Sequence, residues 1–196
     1  MKNFLKWIGI GISITLLAGI LYLFGIRQQF ASYLKVAYPD KSFHVGLVGV
    51  DILYDKYYAE VTCKEDKIKF SVIKAFSSSH IEDNYLEMHI ESQNRLIAEE
   101  LFQNTVVEPY IHNASLLTSK LEPDNRNYEI LYLHLTMDCD PIKTIEEVQK
   151  IVQNSTIKVT TLNFLYEKEK HVYEVYLPTY ESFTNEELKS KIVQVK

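Results

Sequence analysis

Trp7–Ile26, WIGIGISITLLAGILYLFGI, is twenty residues without a charge. At about 1.5 Å of rise per residue, a helix of this length covers roughly 30 Å, the thickness of a bilayer's hydrocarbon core. A helix buried in a soluble domain carries an apolar stripe. This one is apolar on every side, with Ser13 and Thr15 as polar guests, and it is flanked by Lys2 and Lys6 before and Arg27 after. The run exceeds the roughly 7–15 apolar residues of a cleaved leader. Ile26-Arg27-Gln28-Gln29-Phe30 offers no small-x-small cleavage site, and Leu17-Ala18-Gly19 is followed by Ile20 where a lipobox needs cysteine. The reading is a short tail (1–6) and an uncleaved transmembrane anchor (7–26), in contact with membrane lipid.

Cationic residues are nearly balanced across the span, Lys2 and Lys6 against Arg27, Lys35 and Lys41. The short lysine-bearing tail has the character of a signal anchor, which puts the N-terminus inside and the soluble part outside the cytoplasm. Gly11, Thr15 and Gly19 recur every four residues, a small-xxx-small face and a candidate homodimer contact.

From residue 28 onward the chain holds 18 Lys and Arg against 26 Asp and Glu, a formal net charge of −8. Such a domain repels nucleic acid and anionic lipid. Outside the span the only glycines are Gly46 and Gly49, so there is no glycine-rich phosphate loop and no cofactor is expected. Cys63 and Cys139 stand 76 residues apart. Joined, they would close a loop worth on the order of 4 kcal/mol; unjoined, they are small hydrophobes in strand-like surroundings.

Gln28–Ala37 has helical spacing, with Phe30, Leu34 and Ala37 on one face, and continues the span as a stalk (27–39) that Pro39 ends. A first α+β unit (40–108) follows. Phe43–Tyr54, Tyr57–Cys63 and Ile68–Phe76 read as a three-stranded meander. Ser79 and Glu82 then form a capping box opening a long helix toward Val107. In the connector (109–127), Tyr110–Leu121 is read as a second helical piece and Glu122-Pro123-Asp124-Asn125 as a linker. The second unit (128–196) reads β-α-β-β-α. It has a strand over Tyr128–Met137, a helix capped by Asp140 before Pro141, and a hairpin of Thr156–Tyr166 with Val172–Leu177. A capping box of Thr184 and Glu187 opens its last helix. The fold class is α+β: one N-terminal transmembrane helix and two small α+β units, with a single mixed sheet as the alternative.

The segments Tyr38-Pro39-Asp40-Lys41-Ser42-Phe43, Val45-Gly46 and Tyr57-Tyr58-Ala59-x-Val61-Thr62-Cys63 resemble the YfjL-like proteins of Gram-positive bacteria. The resemblance covers the anchor and first unit, and the second unit only in element order. It implies a single-span envelope protein with small α+β modules facing outward. It supplies no catalytic residues.

His80, Asp83 and Glu87 would share a helix face and could ligate a metal, against the simpler reading of an acidic first turn. His44, His89, His112, His134 and His171 form no ligand spacing. Asp138-Cys139-Asp140 could hold a cation, but Asp140 is already explained as a cap. Ser77-Ser78-Ser79 near Lys74 lacks the spacing of a Ser-Lys hydrolase, and two sequons, at Asn113 and Asn154, matter only in a eukaryotic secretory pathway. No catalytic, metal or cofactor residue is therefore assigned. Tyr54, Tyr57 and Tyr58 cluster at one turn and form a candidate interaction surface for a protein or peptide. The expectation is a non-enzymatic, extracytoplasmic interaction module of the cell envelope. The alternative is an envelope hydrolase or metal-dependent enzyme with a site assembled from distant residues, and a third reading is a purely structural envelope protein.

Overall fold

The structure, a computed structural model, describes residues 2–118 and 127–195, the first eight by backbone alone. The protein is mixed α+β, with an apolar N-terminal helix followed by two compact units, one ending at Met88 and the other beginning at His89.

The first unit opens on helix α1, Lys2–Ala37, 36 residues without a break. It is long and apolar enough to cross a membrane. Its two halves live in different surroundings. Ile10, Ile12, Ile14, Leu16, Leu17, Ile20 and Leu21 are exposed, whereas Ile26, Phe30 and Leu34 are buried. The buried three lie four residues apart, on one side of the helix. The expected stalk is therefore part of the first unit's core. Ala37, expected on the same face, is exposed.

That core faces a sheet of β1 (Phe43–Val45), β2 (Gly49–Asp51), β3 (Lys56–Cys63), β4 (Lys69–Ala75) and β5 (Glu82–Asp83). The strand order is β1-β3-β4-β5, with β2 also paired to β3. Alternation on β3 sends Ala59, Val61 and Cys63 inward. The single strand expected over Phe43–Tyr54 is two, because Val45 pairs with Val61 and Gly49 with Tyr58. Four steps on one strand thus answer three on the other, a bulge. Gly46 sits within it, where a Cβ would lie 2.9 Å from the Glu60 carbonyl oxygen.

The Ser79–Glu82 capping box does not form. Glu82 and Asp83 pair with Ile73 and Val72 as β5, and the helix α2, Tyr85–Phe102, starts only after Asn84. The Asp83 carboxylate is occupied by the hydroxyls of Tyr33 (2.7 Å) and Tyr38 (2.9 Å) and the Tyr85 N–H. Tertiary hydrogen bonds have outcompeted a local cap. His80 and Asp83 consequently lie outside the helix, and the face proposed for His80, Asp83 and Glu87 does not exist.

The second unit is built on a five-stranded sheet of β6 (Ile111–Leu117), β7 (Asn127–Leu135), β8 (Lys158–Lys168), β9 (His171–Pro178) and β10 (Ile192–Gln194), ordered β10-β9-β8-β7-β6. Tyr110–Leu121, read as helical, holds instead a 3₁₀ turn (Glu108–Tyr110) and β6 (Ile111–Leu117). Here Ala114 and Leu116 face the core, a period of two that a helix cannot use. The linker Glu122–Asn125 lies outside the described residues. The junction between units is at 88/89, not within 108–127, because Ala98, Phe102, Val107, Ala114 and Leu116 join the second core. Strand β7 (Asn127–Leu135) runs parallel to β8 (Lys158–Lys168), and helix α3 (Pro141–Gln153) connects them. Asp140 caps α3, and its Ile145, Val148 and Val152 are buried against the sheet. Strand β9 (His171–Pro178) returns across a two-residue turn, Glu169-Lys170, both residues at positive φ. The Thr184–Glu187 capping box forms and opens α4 (Asn185–Ser190), and β10 (Ile192–Gln194) adds an edge beyond β9.

Candidate functional site

Three places carry chemistry. The first is the joint where α1 meets its sheet. Arg27 donates from Nε to the carbonyls of Val45 (3.0 Å) and Gly46 (3.1 Å), and from Nη2 to Val45 (2.7 Å). Further along, Tyr33 and Tyr38 converge on Asp83, and Tyr85 donates to Asp66, which also faces Lys41 at 3.6 Å. Burial would raise the Asp66 carboxyl, but hydrogen bonds from Tyr85, Cys63 and the Ile68 N–H outweigh it and hold the group well below the carboxylate range. Glu65 accepts from the Ser42 N–H and from Cys63, and is lowered to about 2. Tyr38, Phe43, Phe70 and Tyr85 pack edge-on or tilted around the same point, with centroids 4.9–5.7 Å apart. Tyr38, Lys41, Ser42, Phe43, Val45, Gly46 and Cys63 all take part in this joint.

The second place is the tyrosine cluster. Tyr57 and Tyr58 are neighbours on β3 and point to opposite faces. Tyr57 packs on Phe76 (4.6 Å) and meets Tyr22 of α1 edge-on at 5.9 Å, with the two hydroxyls 3.1 Å apart. Tyr58 lies on the outer face over Gly49, where a Cβ would collide with its ring. Tyr54 is exposed at the hairpin tip, with the Lys56 ammonium 5.1 Å from its ring centre. The three tyrosines therefore do not make one surface. Cys63 and Cys139 are both free thiols, Cys63 buried and donating to Glu65. In the first half of α1, Gly11 and Gly19 face open space, and the Thr15 hydroxyl donates to the Gly11 carbonyl.

The third place was not foreseen: the open face of the second sheet. Two registered rows cross it, Ser115–Tyr132–Asn163–Tyr176 and Asn113–His134–Leu165–Glu174. Asn113, Ser115, Tyr132, His134, Asn163 and Glu174 line a concavity of about 210 Å³. The Asn163 amide donates to Glu174 at 2.9 Å, while its Oδ1 is buried without a donor. An unmet buried acceptor costs about 1–3 kcal/mol. Burial and a hydrogen bond to Tyr176 push the Tyr132 hydroxyl up. His134 and Glu174 sit two strands apart, roughly 10 Å at the ordinary strand spacing, too far for an acid–base pair in direct contact. Among the described residues no three His, Cys, Asp or Glu side chains converge to hold a metal. The arrangement can bind through amide, hydroxyl and carboxylate groups. The signal for it was the polar alternation along β6 to β9, but which strands were adjacent could not be read locally.

Comparison with family models, curated proteins and solved structures finds no match to this chain.

Proposed function

We propose that this is a single-span envelope protein of the YfjL-like kind. In this reading the soluble part lies outside the cytoplasm and works as a binding module for a protein or peptide, not as an enzyme. The observation that carries the reading is α1 itself: one unbroken helix whose first half is exposed and apolar and whose second half is core of a folded unit. An anchor built in this way holds its domain at a lipid surface without a flexible tether. The sheet face of the second unit supports the binding role, since it offers amide, hydroxyl and carboxylate groups beside Leu133 and Leu165 on a shallow floor.

The test is fractionation of cells expressing the full chain, followed by protease added to spheroplasts. The chain should pellet with membranes, resist alkaline carbonate, dissolve in detergent, and lose its soluble part to external protease. An intact chain in the supernatant, or one protected from protease, overturns the anchor or its orientation. A photo-crosslinking side chain at Ser115 should yield a discrete adduct that one at Glu186 on α4 does not. Hydrolytic turnover abolished by Glu174→Gln would favour the enzyme reading instead.

A further inference from the structure

The turn between β2 and β3 presents Ile52, Leu53 and Tyr54 with relative exposures of 80, 84 and 69%. Val50 and Phe76 beside it are also exposed. Three large apolar side chains in a row at a tight turn are unfavourable in water and serve no core. Their position along α1 says what they meet. Val45, paired with Val61, is level with Arg27, and Tyr57 is level with Tyr22. Travelling along β3 from Val61 to Tyr57 therefore follows α1 toward its N-terminus, and the turn at 52–55 lies further in that direction. Tyr22 stands four residues, about 6 Å, inside the end of the apolar run, at the depth where tyrosine rings straddle lipid headgroups.

We propose that Ile52-Leu53-Tyr54 is a second membrane contact, a wedge that enters the interfacial layer of the bilayer beside the anchor. This rests on the reading of α1 as a membrane span. The wedge chemistry fits a zwitterionic surface: Asp51 and Asp55 flank the tip, Asp51 accepts from the Tyr54 N–H at 3.2 Å, and Lys56 covers the Tyr54 ring. The two carboxylates stay at headgroup level while the three side chains between them reach the acyl boundary.

The chain has one tryptophan, Trp7, so fluorescence reports each site separately. The unaltered protein, Trp7→Phe/Leu53→Trp and Trp7→Phe/Val36→Trp are each reconstituted in phosphatidylcholine vesicles, with and without acyl-chain bromination. Val36 is 82% exposed on the second half of α1 and serves as the water-side reference. Expected are quenching by brominated lipid and a blue-shifted emission for Trp7 and for the reporter at position 53, and neither for the reporter at 36. Quenched Trp7 with an unquenched reporter at 53 overturns the wedge and leaves the anchor standing; the tip is then a surface open to protein. Quenching at both 53 and 36 overturns it by putting the whole unit against lipid. Unquenched Trp7 sinks the span, and the wedge with it.

Discussion

The two sheets of this protein reach stability by different routes. The first leans on α1: three of its five strands have only two or three residues, its core needs Ile26, Phe30 and Leu34 from the helix, and hydroxyl–carboxylate and guanidinium–carbonyl bonds clamp the two together. The second has strands of 8–11 residues at its centre and an amphipathic helix in the crossover between two of them. One unit is built around the long apolar helix; the other carries a sheet face lined with amide, hydroxyl and carboxylate groups. Both depend on contacts between residues far apart in the chain, Tyr33 and Asp83 in the first, Tyr132 and Asn163 in the second.

Paired truncations should break this comparison most visibly. Phe30→Ala and Phe164→Ala each remove a fully buried ring, a loss of about 3–5 kcal/mol. Hydrogen exchange on the detergent-solubilised full chain should show Phe30→Ala deprotecting β3 and β4 but not β8, and Phe164→Ala the reverse. Equal deprotection of both sheets by either change would mean that the units unfold together. A smaller effect is expected from Asp83→Ala, which strips the acceptor from Tyr33 and Tyr38: about 1–3 kcal/mol, confined to the first unit, with Asp83→Asn recovering part of it. Thr184→Ala removes the box at α4 and should cost about 1 kcal/mol in the second unit alone.

Acid sharpens the contrast further. Asp66 and Glu65 are depressed in the folded state, so their contribution is complete above the ordinary carboxylate pKa of about 4 and is lost as pH falls toward 2. Both lie in the first unit. Its protection should fall first on acidification, and Asp66→Asn should flatten that dependence while lowering stability at neutral pH.

What the sequence made legible is what neighbouring residues decide among themselves. The long apolar N-terminal helix, the Asp140 cap, the Thr184–Glu187 box and the β8–β9 hairpin are local signals, and each appears where its residues put it. Ser79–Glu82 had the same local form and failed, because Asp83 had stronger partners in Tyr33 and Tyr38. Strand β6 was missed since Ile111–Leu117 carries too little β-branched or aromatic character to announce itself, and only pairing with β7 decides it. The open face was illegible for a related reason: Asn113, Tyr132, Asn163 and Glu174 meet through a parallel pairing over some thirty positions. The scarcity of glycine did not bar left-handed turns either. Asp55, Lys67, Asn104, Glu169 and Lys170 take positive φ in its place.

Arg27 ties the long helix to its sheet. Its guanidinium is bolted to two successive carbonyls of the sheet, on a helix that runs unbroken to either side. The azimuth of the helix is thereby slaved to its own sheet, as a key is to its bow. A torque applied to that sheet would turn the compass bearing of Gly11 and Gly19. A rotation of the helix would, by the same linkage, be felt at Val45 and Gly46.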